Sequence, residues 1–144
     1  MMNVLLCTAL WMAHAPTTIP AERAVTCAHV LDRAAELGVD TNLALAVAWH
    51  ESRFNAQARS KVGALGPIQV MPRWHCPGRR AKGCDLVTAG LKLLKRLEAK
   101  YGRFKGLAVY NAGPRRWKLG RRYARKVMKT AQVSFQAQRL LPSL

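Results

Sequence analysis

Acidic residues are scarce in this chain. Its 144 residues include seven Asp and Glu against 24 Lys and Arg, a formal net charge of +17. The seven are Glu22, Asp32, Glu36, Asp40, Glu51, Asp85 and Glu98, too few and too scattered for an EF-hand or an acidic metal cage. No apolar run reaches the ~18 residues that a membrane span needs. No zinc-finger, RNA-recognition or heptad pattern occurs. A zinc site on His75, Cys76 and Cys84 lacks a fourth ligand at a familiar spacing. Internal repeats, low-complexity tracts and alternating strand-like runs are missing too. Neither a metal nor a cofactor is implied. What is present is apolar material: half of the residues are hydrophobic, enough for the core of one domain rather than a disordered basic tail.

Residues 1–15 have no charged side chain. Val4 to Ala13 is an apolar run of signal-peptide length, and Ala13-His14-Ala15 has the small-x-small form of a cleavage site. The segment lacks the usual Lys or Arg at its start, and Pro16 would follow the cut. The expectation is a removable leader and an exported protein. Cys7 would leave with it, so that Cys27, Cys76 and Cys84 remain as an odd set. Cys76 with Cys84 would close a short loop; Cys27 with Cys84 would tie the first helix to a later one.

The spacing predicts a mainly α, single-domain protein. Ala24 to Leu37 reads as a helix stopped by Gly38. Asp40 or Thr41 caps a second helix to about Phe54. Residues 55–72 are broken by Asn55, Gly63, Gly66, Pro67 and Pro72 into a loop with at most a short helix. Residues 73–83 read as a surface loop. Asp85 to Tyr101 is amphipathic, Leu107 to Asn111 forms a short helix, and Leu119 to about Gln138 a basic helix with Tyr123, Val127 and Ala131 inward. The domain is expected over 24–130, with 131–144 as a C-terminal tail.

One carboxylate is out of place. On the helix 41–54, Leu43, Ala44, Val47, Ala48 and Phe54 share an arc of about 140°, and Glu51 falls in its middle. Burial raises a carboxyl's pKa and keeps its proton available near neutral pH. From periodicity alone, Glu51 is equally a poised general acid or half of a buried ion pair with an Arg.

The downstream sequence bears on that choice. Glu51-Ser52 is followed, twelve residues after the acid, by Gly63-Ala64-Leu65-Gly66-Pro67-Ile68-Gln69, and later by Ala108-Val109-Tyr110-Asn111-Ala112-Gly113. From about Cys27 to Met128 the chain resembles the soluble lytic transglycosylase-like family, which shares the goose-type lysozyme architecture. That family pattern is a helix ending in Glu-Ser, then Gly-x-x-Gly-x-x-Gln, then Tyr-Asn-Ala-Gly.

The resemblance implies a lysozyme-like fold with a cleft between helices and a peptidoglycan lytic transglycosylase activity. Its target would be the β-1,4 bond between N-acetylmuramic acid (MurNAc) and N-acetylglucosamine (GlcNAc), left as 1,6-anhydro-MurNAc ends. Glu51 is implied as the catalytic acid, then base. Implied substrate contacts are Ser52, which holds the cleft wall, Gly66, where a Cβ would collide with sugar, Ile68, Gln69, Tyr110, whose hydroxyl reaches the acid or the sugar, and Asn111. No second carboxylate is required, and none lies between Glu51 and Asp85. Asp85 and Glu98 keep open a hydrolytic muramidase on the same fold. There are departures: Pro67-Ile68 replaces the usual Leu-Met, Leu86-Val87 replaces Asn-Ile, and the loop from Arg73 to Gly83 is shorter. Small exported relatives from secretion systems and phages carry cysteines that match Cys27 and Cys84. By that likeness these two pair and Cys76 is left over.

Arg115, Arg116, Lys118, Arg121, Arg122, Arg125, Lys126 and Lys129 lie within fifteen residues, and no acid occurs from 99 to 144. Stem-peptide carboxylates and the phosphates of envelope polymers would attract such a surface. The expected partners are peptidoglycan strands and anionic wall polymers, met by a monomer in the periplasm or cell envelope, or delivered there by a phage particle. A non-catalytic basic protein binding wall or nucleic acid is the alternative. Trp117 and Tyr123 interleave with the Arg residues as in single-strand binders, but nothing else supports nucleic acid.

Overall fold

Local capping sets where the helices begin and end. In the computed structural model, which describes residues 2–141, the order is α1 (Met2–His14), α2 (Ala21–Leu37), α3 (Thr41–Ser52), α4 (Pro72–His75), α5 (Leu86–Tyr101), α6 (Arg103–Ala112) and α7 (Arg121–Leu140). Short 3₁₀ turns occupy Pro77–Arg79 and Pro114–Gly120. Pro20, with φ already fixed, starts α2 three residues before its expected beginning. Gly38 ends α2 in the left-handed region, at φ 67°. The Asp40 carboxylate caps α3, accepting from the Asn42 and Leu43 amides at 2.9 and 3.2 Å. Asp85 caps α5 through the Val87 and Thr88 amides.

Helix α3 is the hub. Leu43 through Trp49 are all buried, and the helix packs against α2 on one side and α7 on the other. Helices α5, α6 and α7 pack in succession, α5 on α6 and α6 on α7, and α5 also meets α2. The described residues contain no β-strand, only isolated bridges from Leu65 to Arg59 and to Val70 that brace the loop after α3. The expectation of a mainly α domain holds.

Two expectations are corrected, the cysteine pairing and the tail. The segment expected as a leader forms α1 and packs on the core: Leu6, Cys7, Leu10 and Trp11 are buried, the Trp11 ring meets Trp49 edge-on at 5.5 Å, and Cys7 is bonded to Cys27. The second disulfide joins Cys76 to Cys84. Cys27 and Cys84 are therefore not partners, Cys76 is not left over, and the four cysteines pair without remainder. The second correction is the tail. Residues 131–140 continue α7, and buried Ser134 donates to the Asn42 side chain at 2.8 Å. Met1 and residues 142–144, the ends of the expected leader and tail, lie outside the described residues.

Candidate active site around Glu51

Glu51 occupies the last turn of α3. The residue is partly buried and keeps some contact with solvent. Burial pushes its carboxyl up to about 7, against the opposing pull of a hydrogen bond from Tyr123. That bond, Tyr123 Oη to Glu51 Oε1, is 2.7 Å long. No arginine clamps Glu51: among the described residues, its carboxylate takes part in no ion pair. The buried-ion-pair alternative is thereby removed.

The wall beside the acid is the loop after α3. Ser52 Oγ donates to the Pro67 carbonyl at 2.7 Å and accepts from the Asn55 amide at 3.0 Å. Tyr110 Oη, from α6, donates to the Ile68 carbonyl at 2.6 Å. Arg53 and Phe54 both take positive φ, 52° and 61°, which turns the chain sharply away from the helix end. A bulky side chain in that region is strained. It is held there by complete burial of the Phe54 ring and by Arg23, whose guanidinium donates to the Ser52 and Arg53 carbonyls at 3.1 and 2.8 Å.

A family model described as the transglycosylase SLT domain matches residues 30–133. The chain belongs to that family. Its members are lytic transglycosylases that act on peptidoglycan, and their domain is lysozyme-like. No solved structure matches the chain.

Within this SLT domain the carboxylates other than Glu51 are engaged elsewhere. Asp85 caps α5 and also faces Arg33 and His29, at 3.6 and 3.5 Å. Burial pushes its carboxyl up, but hydrogen bonds from Thr88 and His29 outweigh it and hold the group below its ordinary value. Glu98 and Asp40 share Arg103, at 3.2 and 3.1 Å. His50, next to Glu51 in sequence, turns away to Thr130 Oγ1 at 2.8 Å, and burial holds its pKa down.

The residues expected at the substrate have varied settings in the SLT domain. Ile68 is fully buried and fills the space over Gly90, where an added Cβ would lie 2.3 Å from Ile68 Cδ1; its side chain serves the core and not a sugar. Gly66 needs its positive φ of 80°, and the space its missing Cβ leaves is taken by Leu86, 2.9 Å away, again not by sugar. Gln69 is partly exposed, and its amide donates to the Gly66 carbonyl at 3.0 Å, bracing the turn. Asn111 is exposed near the end of α6. Tyr110 gives its hydroxyl hydrogen bond to the wall, yet it lies near the acid, and burial together with the Glu51 charge pushes its pKa up. Tyr123, expected only as an inward residue of the basic helix, is the hydroxyl on Glu51. The available signal was a phenol on an otherwise apolar face, which needs a buried polar partner.

The positioning of Tyr123 depends on backbone approach. At Gly120, just before α7, an added Cβ would stand 2.2 Å from the Ala108 carbonyl oxygen. Glycine lets the start of α7 lie directly on α6, which brings Tyr123 over the end of α3.

Proposed function

We propose that this chain cleaves the β-1,4 bond between MurNAc and GlcNAc in peptidoglycan without water, with Glu51 as sole acid and base. Glu51, protonated to a useful fraction near neutral pH, gives its proton to the glycosidic oxygen as the C1–O bond breaks. Positive charge builds at the anomeric carbon, as in other glycoside cleavages. The resulting carboxylate, still hydrogen-bonded to Tyr123, takes the proton of the muramoyl 6-hydroxyl. That oxygen closes on C1 to give the 1,6-anhydro end. One glycosidic bond is exchanged for one intramolecular bond, and Glu51 returns to its starting state.

The observation that carries this reading is a single protonatable carboxyl that, among the described residues, is in no ion pair and has no other carboxylate hydrogen-bonded to it. A hydrolytic muramidase using two acids would need Asp85 or Glu98, and both are committed to helix capping or to arginine. Gln69, Ser52 and Tyr110 act in this reading by holding the wall beside the acid. Two disulfides fit an oxidising compartment, which supports export to the periplasm or envelope, or delivery there by a phage or secretion machine.

The test is digestion of purified sacculi followed by mass spectrometry of the muropeptides. Anhydro ends that disappear in Glu51→Gln are the expected result, with a rate loss of about 10²–10⁴-fold. Reducing ends in their place would establish hydrolysis, and intact sacculi with a folded wild-type chain would leave only a binding protein.

A further inference from the structure

Of the four tryptophans, three are at least partly covered. Trp11 and Trp49 are 8% and 6% exposed, and Trp117 packs against the core. Trp74 is 63% exposed. An indole left in water forgoes a large burial gain, and nothing in the fold requires it there.

Its setting holds it in place. Trp74 lies in the single turn of α4, where its amide donates to the Met71 carbonyl at 3.0 Å. The Cys76–Cys84 disulfide closes the loop immediately after it. The Arg73 guanidinium lies 4.7 Å from the centre of the Trp74 ring. Pro72 and Val70, just before it, are buried, so the segment from Gln69 onward is anchored. That segment continues the wall tied to α3 by Ser52 and to α6 by Tyr110. Trp74 is five residues beyond Gln69, which limits their Cα separation to roughly 18 Å.

We infer that Trp74 is a sugar-stacking platform, on which a pyranose ring of the glycan strand outside the cleaved pair lays its C–H face, with Arg73 meeting a carboxylate carried by that unit. This rests on the glycan reading of the Glu51 site. An indole suits the apolar face of a sugar ring, and a stacked guanidinium beside it suits the lactyl or peptide carboxylates of peptidoglycan. Arg79, Arg80 and Lys82 on the same loop, with no acid between Glu51 and Asp85, favour an anionic strand over a neutral polysaccharide.

The experiment measures tryptophan fluorescence and cleavage on peptidoglycan strands of two lengths, one of four sugars and one several times longer. In the Glu51→Gln background, Trp74→Ala is expected to weaken binding of long strands about tenfold, and Trp74→Phe to keep most of it. Four-sugar fragments should bind all variants alike. In the cleaving protein, Trp74→Ala should raise KM on long strands by the same factor and leave kcat within about twofold. Equal KM for Trp74→Ala and wild type on long strands would overturn the inference, and so would an equal loss on short ones. Displacement of the long strands from Trp74 by a single-stranded oligonucleotide at lower concentration would also overturn it. Strands that bind through Trp74 but yield no anhydro ends would remove the transglycosylase reading and leave this one standing.

Discussion

At the residue scale, two opposing effects set the Glu51 proton. Burial raises its pKa, and the Tyr123 hydroxyl lowers it by favouring the carboxylate. Tyr123→Phe removes only the second effect. The pKa then rises further, so the alkaline limb of the kcat profile should move to higher pH while the plateau falls about tenfold, as expected for loss of a hydrogen bond to a charged group. A pH–rate profile of the two proteins checks this; an unmoved limb would separate Tyr123 from the acid's titration. The same burial carries a stability cost. Glu51 holds its proton up to about 7 when folded, against an ordinary value of 4.5. Between those pH values the folded state binds the proton and the unfolded state does not. Stability therefore falls as pH rises through that window, by roughly 3 kcal/mol. Glu51→Gln lacks this loss. Urea denaturation at pH 5 and pH 8 should show the variant gaining on wild type at the higher pH.

At the element scale, helices with polar caps and one apolar face were legible in the sequence. Asp40, Gly38 and Asp85 mark their ends by chemistry that needs no tertiary contact. Glu51 was legible as well, because an acid among apolar neighbours on α3 stands out. Contacts between distant segments were not. Gly120 reads as an ordinary turn residue until α6 is seen beneath it, and Ile68 and Gly66 read as cleft residues until Gly90 and Leu86 are seen beside them. The same holds for α1, whose apolar run reads as a leader; its packing on α2 and α7 and its Cys7–Cys27 bond are contacts that no local pattern announces. Closing a loop of sequence separation 20 constrains the unfolded chain by about 3 kcal/mol. Cys7→Ser should lower stability by about that amount and leave Cys27 as a thiol. A chain lacking residues 1–15 should lose more, since Trp49 and Cys27 also lose cover. Thermal melts with thiol titration measure both. Gly120→Ala acts through the other junction. The backbone clash should cost about 1–3 kcal/mol and reduce kcat at temperatures where the variant remains folded, because Tyr123 is displaced from the acid.

At the scale of the whole molecule, the sequence made the +17 charge plain but not its placement. The eight basic residues between Arg115 and Lys129 are all exposed, and none is in an ion pair among the described residues. They lie on the solvent side of α7 and the turn before it, the same helix whose inner side delivers Tyr123 to Glu51. Attraction to an anionic wall would thus act on the element that carries part of the candidate site. Such attraction between exposed charges is screened within about 8 Å at physiological salt. Binding to sacculi should therefore weaken by about tenfold or more between 50 and 500 mM salt, while kcat on short soluble fragments stays level. Arg122→Glu, Arg125→Glu and Lys129→Glu together should flatten that salt dependence and raise KM on sacculi without changing kcat on the fragments. Pull-down at several salt concentrations, read beside fragment kinetics, tests the point. If the triple variant kept the wild-type slope, the charge on α7 would not be what brings the enzyme to the wall.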